Sequence, residues 1–107
     1  MLSWNTKAAC VEKGEAEELG DFKKGNKLYK TIYSTYLFLC NSNRLFELIP
    51  LLDHANPYVR LWASTYALQI DQSKAEQALE LLSMLGGNVG FCSSITLREW
   101  KHGRLVL

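Results

Sequence analysis

Two histidines, His54 and His102, and three cysteines, Cys10, Cys40 and Cys92, are the side chains best suited to nucleophilic, acid–base or metal chemistry in this chain. Their spacing supports none of these uses. The cysteines share no C-x-x-C pattern, and neither histidine stands at a metal-ligand spacing from a cysteine or carboxylate. The sequence also lacks a G-x-x-x-x-G-K-[ST] phosphate loop and a G-x-S-x-G nucleophile turn. His54 falls at an expected helix end, where an imidazole serves as a cap or a favourable charge more readily than as a base. An enzyme needs a nucleophile, a base and a stabilising group, or a metal, in one place. With no such constellation, the expectation is a protein that is not an enzyme and uses no metal or cofactor.

The remaining chemistry is that of recognition. Asp21, Lys23, Lys24 and Asn26 gather where a long helix should open, and Arg98, Trp100 and Lys101 stand together near the other end of the chain. A tryptophan flanked by charges fits a core plug and also an interface anchor. Tyr58 adds a ring at the head of a helix, with its hydroxyl expected toward water. These eight residues are the candidate partner contacts. Lys23, Lys24, Lys27 and Lys30 lie near tyrosines, a mixture that could meet nucleic acid. However, the formal net charge is only +1, and the basic run follows directly on Glu12, Glu15, Glu17, Glu18 and Asp21. Without a global positive field a phosphate backbone is not drawn in, so nucleic acid ranks behind a protein partner.

The elements that must position these residues are helices. Apolar side chains favour a helix over 4–19 with Asn5 or Thr6 as its cap and Ala8, Val11, Ala16 and Leu19 as its stripe. Gly20-Asp21 reads as a stop and a new start. Phe22, Gly25, Tyr29, Ile32, Tyr36 and Leu39 then recur at spacings of three and four, which predicts a long amphipathic helix; Gly25 either permits close approach of a neighbour or frays the first turn. Asn43 is the expected cap of a third helix carrying Leu45, Leu48, Ile49 and Leu52 inward, bent at Pro50. Asn56-Pro57 opens a fourth with Val59, Ala63, Tyr66 and Ile70 inward and Trp62 and Ala67 beside them. Asp71 caps a fifth with Ala75, Ala78, Leu79, Leu82 and Leu85 on one face. Residues 86–90 read as a flexible loop, Ser93 or Ser94 as the cap of a short last helix through Trp100, and Gly103 as its end. The apolar tail 104–107 should dock on the body.

The segment L-I-P-L-L-D-H-A-N-P-Y-V-R-L-W-A-S-T-Y-A-L, 48–68, resembles a HEAT repeat of the armadillo-like superfamily in its Pro50, Asp53, Val59 and Arg60. The resemblance implies that Asp53 and Arg60 bond across the turn as a structural pair. The whole chain is similar to a small bacterial family of HEAT-like proteins about one domain long. The similarity rests on G-D-F-K-K-G-N-K-L-Y-K (20–30), L-L-D-H-A-N-P-Y-V-R-L-W-A (51–63) and T-L-R-E-W-K-H-G-R-L (96–105). It implies an all-α, HEAT-like superhelix of about six helices, in which the second helix of each hairpin lines the concave face. Some small proteins of this kind are immunity proteins, so it further implies a protein partner, such as a toxin encoded next door. Residues 86–92 and the N-terminal segment carry no motif of the family.

Stacked helix pairs bury a continuous core that no single pair can, so three stacked helical hairpins in one domain over 1–107 are expected. At 107 residues the chain has the size of one domain. Its hydrophobic fraction of 48% is that of an ordinary globular protein. The thiols read as free and buried in a reducing compartment. M-L-S-W-N-T-K has neither the basic flank nor the apolar run of a signal peptide, and residues 31–40 are about half of the roughly 20 that span a bilayer. The expectation is a cytoplasmic protein without a membrane segment, whose role is toxin inhibition or, failing that, scaffolding.

Overall fold

The structure, a computed structural model, describes residues 4–105 and 107, with side chains from residue 7 onward. The described residues form six helical segments and no strand. They are α1 (Trp4–Glu18), α2 (Phe22–Asn41), a 3-10 helix (Leu45–Asp53), α3 (Pro57–Ala67), α4 (Gln72–Ser83) and α5 (Gly87–Lys101). The expected all-α class of about six helices is what forms. Consecutive segments pair as three hairpins, α1 with α2, the 3-10 helix with α3, and α4 with α5. Helix α3 lies at the centre and also touches α1, α4 and α5. The large side chains buried most deeply are Leu39 of α2, Leu48 and Val59 of the middle hairpin and Leu79 and Leu82 of α4, so one core runs through all three hairpins with the middle one at its centre.

The polar starts read from the sequence hold these segments in place. Asp21 accepts from the Lys24 amide, Asn56 from the Tyr58 amide ahead of Pro57, and Asp71 from the Lys74 amide. Each carboxylate or amide oxygen satisfies one of the donors that a helix start leaves unpaired. Asp21→Ala should therefore cost about 1 kcal/mol, measurable as a lowered urea midpoint, whereas Asp21→Asn should retain most of that stability. A midpoint unchanged by the alanine would show that the cap does not hold α2.

Five local expectations are corrected. Asn5 and Thr6 lie inside α1 rather than at its cap, and their side chains fall outside the described residues. Asn43 does not cap a third helix. It adopts the left-handed conformation, φ 58°, and closes α2, with the Arg44 amide bonded back to the Leu39 carbonyl, a position asparagine tolerates. The segment that follows is a 3-10 helix and not a bent α-helix, since Pro50 has no N–H to give an α-helical ladder. The stretch 86–90 is only partly loop: Gly86 and Gly87 take positive φ and turn the chain, and α5 already runs from Gly87. Ser93 is thus buried inside α5 and caps nothing.

Leu19, Ile70 and Leu85, expected inward, are exposed. They lie one, three and two residues beyond the ends of α1, α3 and α4, where the chain has left the helical period that would have carried the side chain inward. Phe22 and Tyr29 of the α2 stripe are exposed too, whereas Gly25, Ile32, Tyr36 and Leu39 are buried. Close approach is needed at Gly14 and Gly90 and not at Gly25. A Cβ on Gly90 would lie 3.1 Å from the Ser83 carbonyl oxygen, while one on Gly25 would meet only Glu17 Cγ at 3.4 Å. In the tail, Leu105 and Leu107 pack against the core as expected.

Candidate functional site

One cavity of about 240 Å³ opens between the first and third hairpins, with α3 as its floor. Helical spacing explains who lines it. Cys10, Lys13, Gly14 and Glu17 recur at three and four along α1; Tyr58, Leu61, Trp62, Thr65 and Tyr66 do so along α3. Tyr29 and Ile32 come from α2, Cys92 and Thr96 from α5. The second helix of each hairpin therefore contributes, and α1 joins them. A shallow groove with Phe22, Gly25 and Asn26 continues from the shared residues Lys13, Glu17 and Tyr29.

Gly14 makes the cavity possible. A Cβ there would fall 2.1 Å from Tyr58 Cδ1, inside the ring's own volume, so only glycine lets α1 lie against this ring. Tyr58 then reaches Glu18, to which its hydroxyl donates a hydrogen bond. Burial, that bond and the charges of Glu18, Glu15 and Glu17 push its phenol up to about 12. Behind the wall, Tyr36 stacks on Tyr66 with centroids 4.0 Å apart and shares its hydroxyl with the Gln69 amide.

The two thiols in the cavity are kept protonated. Burial pushes Cys10 up to about 12 from an ordinary 9.0, with Lys13 opposing, and burial followed by Glu17 raises Cys92. Neither is a ready nucleophile, since the thiolate is the reactive form. Because Cys10 and Tyr58 hold their protons more tightly folded than unfolded, their contribution to stability is complete below about pH 9 and is lost as pH rises towards about 12. Urea midpoints should fall across that window, less steeply in Cys10→Ala; a flat profile would contradict the buried thiol.

The residues singled out from the sequence fall in three places. Asp21, Lys23 and Lys24 line a shallow depression with Glu12, Lys27 and Leu28, Asn26 sits in the groove beside the cavity, and Tyr58 is in its wall. Arg98, Trp100 and Lys101 are elsewhere on α5. Arg98 is exposed, Lys101 lies 3.9 Å from Glu80 of α4, and Trp100 packs partly buried against the core. Asp53 and Arg60 line one pocket with Lys74 and Gln77. No ion pair joins them among the described residues, and Arg60 Nε is closed off without a hydrogen-bond partner. His54 Nδ1 accepts from the Asn56 amide at 3.0 Å and so shapes the turn before α3. Trp62, Tyr66 and Tyr29 were legible as rings on helical faces, but their spacing equally suits a filled core.

Comparison with known proteins yields no matching family model, curated protein or solved structure. No helix among the described residues is long and apolar enough to cross a membrane.

Proposed function

We propose that the chain is a protein-binding module that performs no chemistry of its own, and that its specific role is to bind and neutralise a toxin as a bacterial immunity protein. The observation that carries the binding reading is a run of exposed apolar side chains at the end of α4. Leu81 is 58%, Met84 78% and Leu85 56% exposed, and they lie within five residues of one another in the last turn of α4 and just beyond its end. Large apolar side chains grouped at the surface mark interaction sites. The immunity role is supported by the likeness of the three sequence motifs to HEAT-like proteins. Nucleic acid has less support, because Glu12 and Asp21 share the depression of Lys23, Lys24 and Lys27.

Co-expression with the protein encoded by the adjacent gene, size exclusion and a growth assay provide the test. A stable complex that restores growth is expected, and Met84→Glu with Leu81→Glu should abolish it while leaving the helical circular dichroism intact. If the neighbour is not toxic and forms no complex, the immunity role fails. A complex indifferent to both substitutions removes the α4 surface from it.

A further inference from the structure

Four aromatic side chains, Tyr29, Tyr58, Trp62 and Tyr66, face the same cavity. Trp62 and Tyr66 meet edge to face, centroids 6.2 Å apart and planes at 69°, so they form a corner and not a flat wall. Tyr33 stacks on Tyr29 at 5.8 Å and Tyr36 on Tyr66 at 4.0 Å, and neither backing ring lines the cavity. The rings are thereby fixed before any ligand arrives.

The charge beside these rings is negative. Glu15, Glu17 and Glu18 all act on the Tyr58 hydroxyl, against the single ammonium of Lys13, which is held by Glu17. Aromatic faces carry negative charge as well and attract cations within about 6 Å of the ring centre. Thr65 and Thr96 donate to carbonyls of their own helices, Tyr58 donates to Glu18, and Glu17 receives Lys13; the Trp62 indole N–H is unpartnered among the described residues and, as a donor, offers an ammonium nothing. A primary ammonium brings three donors that each need an acceptor. An ammonium whose hydrogens are replaced by methyl groups brings none and can lay those methyls on the rings.

We infer that this cavity binds the quaternary ammonium group of a small organic cation. The inference is independent of a protein partner and stands or falls apart from the α4 surface. Lys13 is the competing cation, and Lys13→Gln, which releases Glu17, should tighten binding.

The test is titration of the full chain with choline and with dimethylbutanol, its uncharged carbon isostere, followed by calorimetry and by the N-methyl proton signal. Choline should bind at least about fivefold tighter than the alcohol, with its methyl protons shifted upfield by the rings. Glu17→Gln and Tyr29→Leu, both at the partly exposed mouth, should weaken it severalfold without loss of helical signal. Equal binding of the two probes would reduce the cavity to an apolar hollow, and absence of saturable choline binding, or binding indifferent to Tyr29→Leu, would overturn the inference. Tighter binding of an acetylated trimethyl-lysine amide than of choline would overturn the small-molecule assignment and move the group onto a peptide.

Discussion

Leu79→Ala should lower the unfolding free energy by about 3 kcal/mol, within the range of roughly 2–5 for a fully buried leucine. Leu79 has no exposed surface, and its helix, α4, packs against α3, α5 and the 3-10 helix. A side chain this fully enclosed leaves a space that its surroundings refill only in part, so a cavity term adds to the lost burial. Against a total stability of about 5–15 kcal/mol for a domain, the variant should show a markedly lower urea midpoint. Leu81→Ala, two residues on but more than half exposed, is the control, with an expected change within about 0.5 kcal/mol. Similar losses at the two positions would mean that the inward face of α4 has been assigned wrongly.

Gly14→Ala should also destabilise the protein, contrary to what helix propensity dictates. In an isolated helix alanine is better than glycine by about 1 kcal/mol. Here the new methyl falls 2.1 Å from a carbon of the Tyr58 ring, and overpacking of this kind costs about 1–3 kcal/mol. Gly14→Val, which adds two further methyls, should cost more and spread α1 from α3. The diagnostic result is a rescue: Tyr58→Ala in the Gly14→Ala background should lose less than the sum of the two single changes, by about 1 kcal/mol or more. A Gly14→Ala protein more stable than the parent would show that α1 does not rest on Tyr58.

The helical class was legible because Asp21, Asn56-Pro57 and Asp71 are local signals, each acting within three residues of itself. Asn43 and Gly86–Gly90 misled because asparagine serves both as an N-cap and as a left-handed terminator, and glycine both as a hinge and as a site of close packing. Neighbours on another helix decide between such roles: Ser83 of α4 for Gly90, Tyr58 of α3 for Gly14. The cavity was illegible for the same reason. The rings at 58, 62 and 66 fix one face of α3, whereas whether that face is filled or hollow depends on how α1 and α5 stand across it. Among the charged candidates, spacing showed which residues are neighbours on one helix and could not show that α2 and α5 place theirs apart.

The 3-10 helix has an energetic consequence. It contributes Leu48, Leu51 and Leu52 to the core through a backbone whose hydrogen bonds are poorer than those of an α-helix and lack a donor at Pro50. Its side chains hold its backbone in place, not the reverse. Excised as a peptide, 45–53 would carry no structure, and in the intact protein its amides should exchange with solvent ahead of those in α3 and α4. The 3-10 segment is therefore the part of the middle hairpin expected to lose its backbone order first, while α3, which also touches α1, α4 and α5, stays in place.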